Sequence, residues 1–197
     1  MDKRVIVIAS KNKGKIKDFT EALNNDFIIK TLDDEEFKDI NFSDLDEIFP
    51  TLAENALRKA KEVYDKLKTN GKFYEVVADD SGLFIDALNG LPGVRTKRCA
   101  PDGYDGNNAD YILELMEGKS NRNAIFRSAL VWIDHYEMVT HIFEAKCLIA
   151  ESKSADESIF PLDKILKTSQ GVYWTTDTTH LENKIKFIKD AIYWYLK

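Results

Sequence analysis

The chain has 197 residues and a formal net charge of −6 at pH 7, and 44% of its residues are hydrophobic. This length allows one compact domain with a sizeable core, and we expect a single domain over residues 1–197. The acidic balance argues against stable nucleic-acid binding, because phosphate backbones are held by clustered Lys and Arg side chains. The two cysteines, Cys99 and Cys147, lack metal-site or disulfide-framework spacing, which favours a reducing compartment.

The longest apolar run near the N-terminus, VIVIA, is five residues long, and no segment reaches 18 consecutive apolar residues. A membrane-spanning helix needs about 20 apolar residues, and a signal sequence needs about 7–15. We therefore expect no membrane association and a cytoplasmic protein.

Strand and helix patterns alternate at the start of the chain. Unbroken β-branched residues predict a strand at 5–10, and the polar KNKGK segment leads into a helix that ends near Leu23. A second strand is predicted at 27–31, followed by an acidic, irregular segment at 33–46.

The next predicted helix carries a lysine on its apolar face. Thr51, with Glu54 three positions later, predicts an N-cap with a capping box, and the helix ends near Leu67. Lys59 falls within the apolar stripe, which is formed by Leu52, Ala56, Ala60, Val63 and Leu67. Such a lysine either extends its ammonium group to solvent or binds an anion.

The second half of the chain is richer in strands. We predict strands at 74–78, 124–134 and 138–150, and helices at 108–117 and 181–196. Early alternation followed by paired strands is typical of an α/β fold with a mixed sheet.

Two polar segments follow predicted buried strands. SKNKGK, residues 10–15, joins a strand to a helix and has the glycine and cations of a phosphate-binding loop; the alternative is a solvated lysine-rich turn.

Asp79 and Asp80 follow the strand at 74–78, where a turn at Gly82 would bring both carboxylates to one site. Paired acids suit Mg²⁺ and proton abstraction, with Glu47 as a further ligand. The alternative is an Asx-turn in which Asp80 or Ser81 caps backbone amides.

Three segments then occur in order: SKNKGK, TLAENALRKA and DDSGLFIDALNGLPGVR. The set resembles the inosine triphosphate pyrophosphatase family, whose members hydrolyse deaminated purine nucleoside triphosphates to monophosphate and pyrophosphate. The resemblance covers roughly residues 4–135 and continues through EGKSNRNAIFRSAL. It implies an elongated mixed β-sheet with flanking helices, two lobes around a central cleft, Mg²⁺ dependence and a homodimer.

The resemblance also implies roles for individual residues. Ser10, Asn12 and Lys15 would bind substrate in the phosphate-binding loop, and Ser81 would add a further contact. Lys59 would reach the phosphates and assist catalysis.

The acids would hold the metal ion and activate water. The implied metal ligands are Glu47, Asp79 and Asp80, and Asp80 would also orient the water that attacks the α-phosphorus.

The final third departs from the family pattern. ESIFPLDKIL keeps Phe160 and Asp163, which would contact the base and substrate, but loses the glycine, tyrosine and proline of the family's FGYDPIF. The family's Ser-His-Arg, which recognises the purine carbonyl, has no counterpart, and residues 186–188 lie approximately there. Phe187 and Trp194 share a helix face away from the apolar stripe and either line a pocket or pack beneath a neighbouring segment.

These observations predict a Mg²⁺-dependent pyrophosphatase of deaminated purine nucleoside triphosphates. Two alternatives stay open: a diverged enzyme that acts on another nucleotide, and a nucleotide-binding sensor without turnover. Losing hydrogen-bonding groups for the base would reduce discrimination between bases.

Overall fold

A computed structural model gives the fold of residues 3–43, 45, 47–158 and 160–193. The helices are α1 (Lys13–Leu23), α2 (Leu52–Thr69), α3 (Asn108–Leu115) and α4 (Thr179–Tyr193). The strands are β1 (Arg4–Ile8), β2 (Phe27–Thr31), β3 (Glu75–Ile85), β4 (Pro92–Gly93), β5 (Asn123–Ile133), β6 (Met138–Ile149) and β7 (Leu166–Lys167). Short 3₁₀ helices lie at Glu35–Phe37, Asp86–Leu88, Thr96–Arg98 and Pro161–Ile165.

The strands form one mixed sheet in the order β2-β1-β3-β5-β6-β7, and β4 pairs with β3. β1 lies parallel to both β2 and β3, whereas β4 and β7 pair antiparallel with their neighbours. The predicted α/β class with a mixed sheet and flanking helices is therefore confirmed.

The chain divides into two compact units, each built from separate stretches of sequence. The first unit contains residues 1–80, 129–143 and 183–197, and the second contains 81–128 and 144–182. The single domain over 1–197 stays a prediction, as does a cleft between two lobes.

Each unit has its own apolar core. In the first unit, residues of β1, α1, β3, β5 and α4 pack together, among them Ile6, Phe19, Val77, Trp132 and Ile188. In the second unit, residues of α3 and of strands pack together with residues of the connecting segments, among them Leu83, Ile112, Met116, Ile149 and Trp174. Continuous buried runs on β1, β3 and β5 and a buried stripe on each helix produce these cores.

Several predicted boundaries agree with the structure to within a few residues. Thr51 is the N-cap of α2, where its hydroxyl accepts a hydrogen bond from Glu54 N–H and donates one to the Glu54 carboxylate. In the predicted capping box, the Glu54 carboxylate would accept from the backbone N–H of Thr51. In the structure it accepts from the Thr51 hydroxyl instead.

The predicted turn at Gly82 is wrong. β3 continues without a break from Glu75 to Ile85, so Asp79 and Asp80 lie in the middle of a long strand. The apolar residues Leu83 and Ile85 continue the buried face of that strand into the core of the second unit. None of the helices in the described ranges is long and apolar enough to cross a membrane.

Candidate active site

Two adjacent acids on β3 form the centre of the candidate site in the first unit. Asp79 and Asp80 are each only 3% exposed. Because neighbouring side chains on a strand point to opposite faces, the two carboxylates meet different partners. The Asp79 carboxylate meets Lys15, and the Asp80 carboxylate meets Lys59. The strand therefore presents one acid to each of two lysines.

Lys59 is buried on the inner face of α2, as its place in the apolar stripe predicts. Its Nζ lies 3.0 Å from Oε1 of Glu47 and 3.2 Å from Oδ1 of Asp80, and it donates to the backbone carbonyl of Asp79 at 3.1 Å. The ammonium group therefore does not extend to solvent. It binds anions, which is the second of the two alternatives for this lysine.

The first turn of α1, which follows the loop after β1, brings Lys15 to the same strand. Lys15 Nζ lies 3.1 Å from Oδ2 of Asp79 and also donates to the Asp79 carbonyl at 3.1 Å. Asn12 is the N-cap of α1, where its side-chain oxygen accepts hydrogen bonds from the N–H groups of Gly14 and Lys15. The hydroxyl of Ser10 accepts from Asn12 N–H. Ser10 and Asn12 thus shape the turn that aims Lys15 at Asp79.

The structure adds a buried ion pair that the sequence analysis missed. Lys184 of α4 is 9% exposed and its Nζ lies 3.0 Å from Oδ2 of Asp18, which is 3% exposed. The same Nζ lies 3.9 Å from Oδ2 of Asp79. Lys184 falls on the apolar stripe of α4, four residues before Ile188, so the projection that identifies Lys59 would also identify it.

The site is densely charged and shielded from water. It contains three ammonium groups and four carboxylates, those of Lys15, Lys59, Lys184, Asp18, Glu47, Asp79 and Asp80. Ionised side chains are almost never buried unless they are paired, and the cost of burying them is several kcal/mol per ion. Such a cluster is typical of a binding or catalytic site.

Burial and neighbouring charges shift the pKa values of Lys15 and Lys59 in opposite directions. Burial lowers the pKa of Lys15, and the ammonium groups of Lys59 and Lys184 lower it further against the attraction of Asp79. Burial alone would also lower the pKa of Lys59, but the attraction of its carboxylate neighbours outweighs it and the pKa is raised. Lys59 therefore stays a cation.

The pKa values of the two acids beside Lys59, Glu47 and Asp80, also shift in opposite directions. Burial raises the pKa of Asp80 above its ordinary value, and the attraction of Lys59 offsets this only in part. Burial would raise the pKa of Glu47 as well, but Lys59 outweighs it and the pKa is lowered. Asp80 is consequently the better proton acceptor of the pair.

The predicted metal ligands do not form one group. Among the described residues, no three His, Cys, Asp or Glu side chains are arranged to hold a metal ion. Glu47 and Asp80 converge on the ammonium group of Lys59, while the Asp79 carboxylate meets Lys15. Oδ2 of Asp80 is buried and accepts no hydrogen bond from the described part of the chain. A carboxylate pair with a spare buried oxygen fits the oxygen ligands that Mg²⁺ prefers.

Three of the predicted substrate-binding residues belong to the second unit. Ser81 follows Asp80 on β3 and is half-buried. Phe160 precedes the 3₁₀ helix at Pro161–Ile165, and Asp163 lies within it. The hydroxyl of Ser158 accepts from Phe160 N–H and donates to the Asp163 carboxylate at 2.9 Å, which fixes this turn.

Residues 186–188, which lie approximately where the family has its base-recognising Ser-His-Arg, make a surface ion pair and core contacts. Ile188 is buried in the core of the first unit, and Lys186 is exposed and paired with Asp190. Phe187 packs against that core and against Phe143, with ring centroids 5.5 Å apart. The ring is therefore partly buried, and a role in lining a pocket stays a prediction. Trp194 lies outside the described residues.

The sequence matches one protein family over most of its length. Residues 6–187 match the model of the Ham1 family. A dITP/XTP pyrophosphatase of Flavobacterium johnsoniae is 34% identical over 166 residues, which cover 82% of this chain and 80% of that protein. One of Chlorobaculum tepidum is 37% identical over 134 residues, which cover 64% of this chain but only 57% of that protein.

The fold is also found among solved structures. A HAM1 protein from Coxiella burnetii superposes with a TM-score of 0.78 at 24% identity, over 96% of this chain and 98% of that one. The family match extends through most of the divergent final third and confirms the resemblance drawn from the three sequence segments. The chain is a member of the Ham1 family.

Proposed function

We propose that this protein hydrolyses deaminated purine nucleoside triphosphates to the monophosphate and pyrophosphate. One observation carries the proposal: the buried ammonium group of Lys59 lies within 3.2 Å of the carboxylates of Glu47 and Asp80 and of the backbone carbonyl of Asp79. The names of the relatives, dITP/XTP pyrophosphatases, supply the substrate class. A protein that only bound nucleotide would have no need of Asp80 together with Glu47.

The residues of the site divide the chemistry between them. The ammonium groups of Lys15 and Lys59 bind phosphate oxygens and stabilise the charge that develops on them. Asp80 accepts a proton from a water molecule whose oxygen forms a bond to the α-phosphorus. The bond from that phosphorus to the bridging oxygen breaks, and pyrophosphate leaves.

The same site suits a divalent cation. Glu47 and Asp80 would hold Mg²⁺, with Asp79 close by on the strand. The ion would screen the negative charge of the triphosphate. Lys59 lies between Glu47 and Asp80, so its ammonium group offsets the charge of the two carboxylates that would hold the ion.

A nucleotide panel tests the proposal. With Mg²⁺, the purified protein is expected to release pyrophosphate from at least one of ITP, dITP and XTP, measured by a pyrophosphate-specific coupled assay. Addition of a chelator in excess should stop the release. Orthophosphate as the sole product would contradict cleavage at the α-phosphorus, and nucleotide binding without any turnover would support a sensor instead.

A second candidate, an enzyme with a different or broader nucleotide range, is favoured by the C-terminal helix. Lys186 forms a surface ion pair with Asp190, Ile188 lies in the core of the first unit, and Phe187 packs against that core. Hydrogen bonds to a base provide large specificity ratios, whereas apolar contacts provide small ones. A panel that includes the unmodified triphosphates ATP and GTP separates the two candidates by their ratios of kcat/KM.

Phe160 offers a specific test of base contact. If its ring stacks on the base, Phe160→Ala should raise KM about tenfold, since base stacking on an aromatic ring contributes about 1–3 kcal/mol. The kcat should change less, because stacking exists before the transition state. Phe73→Ala is the matched control, because Phe73 is 59% exposed in the first unit. An unchanged KM in Phe160→Ala would rule out stacking.

The homodimer implied by the family resemblance stays a prediction. Light scattering on the eluting protein would measure the molar mass and decide it.

A further inference from the structure

The pair formed by Asp18 and Lys184 has no task in the mechanism above. The two residues are 166 positions apart in the chain, on α1 and α4 of the first unit, and their charged atoms are 3.0 Å apart. Both side chains are buried. Fold stability does not account for such a pair, because replacing a buried ion pair with apolar residues is often neutral or stabilising.

The position of the pair suggests a purpose in the site. Asp18 lies three residues after Lys15, about one helical turn along the same face of α1. Lys15 and Lys184 approach the same oxygen of Asp79, at 3.1 Å and 3.9 Å. Two ammonium groups this close repel each other, and the Asp18 carboxylate, 3.0 Å from Lys184 Nζ, offsets the repulsion. Without it, Lys184 would lose the contact that keeps its ammonium group beside Asp79.

We propose that Asp18 is a positioning residue, which holds the ammonium group of Lys184 beside Asp79 so that Lys184 and Lys15 together bind the polyphosphate of the substrate. The inference rests on the proposed function for the identity of the substrate. It assigns no contact between Asp18 and the substrate itself.

Two measurements test the role of Asp18. The first is binding of inorganic tripolyphosphate by calorimetry, which requires no turnover. The second is steady-state kinetics of pyrophosphate release. Asp18→Asn is expected to weaken tripolyphosphate binding and to raise KM by about ten- to a hundredfold, the effect of weakening a hydrogen bond between charged groups. The kcat should fall less than KM rises, and Asp18→Glu, which keeps the charge, should recover much of the loss.

Matched variants separate positioning from folding. Asp190→Asn removes an exposed acid from the surface of α4, where it pairs with Lys186, and should leave both readouts unchanged. The double variant Asp18→Leu/Lys184→Met removes both buried charges, so it should keep the thermal midpoint while losing tripolyphosphate affinity. Asp18→Asn should add nothing to the loss already caused by Lys184→Met.

Three outcomes would overturn the proposal. These are a lower thermal midpoint in Asp18→Asn with unchanged KM and tripolyphosphate affinity, wild-type affinity in the double variant, and additive losses in Asp18→Asn and Lys184→Met. A failure of the proposed function looks different. In that case the wild type binds tripolyphosphate and the variants lose it, but no nucleotide of the panel is hydrolysed.

Discussion

Replacing Asp80 with asparagine is expected to lower kcat for pyrophosphate release by about 10²–10⁴-fold, the usual contribution of a positioned general base. Asparagine has nearly the same shape but cannot accept the proton of the attacking water. Lys59 keeps its contacts with Glu47 and with the carbonyl of Asp79, so the fold and nucleotide binding should persist. Steady-state kinetics and calorimetric binding of a triphosphate, measured on the same preparation, check both halves of this prediction.

Asp65→Asn provides the control for this substitution. Asp65 lies on α2, is 55% exposed and pairs with Lys61, so the same chemical change occurs away from the site. Wild-type kcat in Asp80→Asn would remove Asp80 from the mechanism. Loss of triphosphate binding together with kcat would instead assign Asp80 to binding.

Local patterns predict much of the site because they depend on residues close together in sequence. The spacing of apolar residues along α2 places Lys59 on the inner face without knowledge of the rest of the fold. The strand and helix around SKNKGK predict the junction between them, and Lys15 lies there in the first turn of α1. These two lysines converge on Asp79 in the structure.

The pattern around Gly82 shows where such reasoning fails. A glycine after two acids is typical of a turn, yet pairing with neighbouring strands holds β3 extended through this segment. The consequence is larger than a shifted boundary. A turn would gather both carboxylates at one point, whereas the extended strand presents Asp79 and Asp80 to different lysines.

The pair between Asp18 and Lys184 could not be predicted as a pair. Each residue alone is a charged side chain on a partly apolar helix, and nothing local joins positions 166 residues apart. Their contact depends on how α1 and α4 pack on the same sheet, which the order of elements alone does not determine. The buried position of Lys184, in contrast, could be read from the stripe of α4.

Removing the charge of Lys59 should have the largest effect on stability. Lys59→Met keeps most of the length of the side chain but leaves the half-buried Glu47 and the buried Asp80 without the cation between them. Loss of one partner from a buried pair lowers the free energy of unfolding by about 3–5 kcal/mol. Pyrophosphate release should also fall, because the lysine that stabilises phosphate charge is gone. Lys61→Met, two positions along α2 and 64% exposed, should change the free energy of unfolding by no more than about 0.5 kcal/mol.

The pH dependence of Lys59→Met identifies the cause of its instability. Without the ammonium group, burial and mutual repulsion raise the pKa of Glu47 and of Asp80 in the folded state. An acid with a raised pKa takes up a proton on folding, so the free energy of unfolding falls as the pH rises from its unfolded value, near 4, through the raised value. The deficit relative to the wild type should therefore be smallest in acid and grow toward neutral pH in urea unfolding. Added Mg²⁺ should reduce it at neutral pH, because an ion that binds only the folded state stabilises that state. A deficit that is constant with pH and unaffected by Mg²⁺ would mean that Lys59 contributes packing alone, and that its ammonium group does not hold the two acids together.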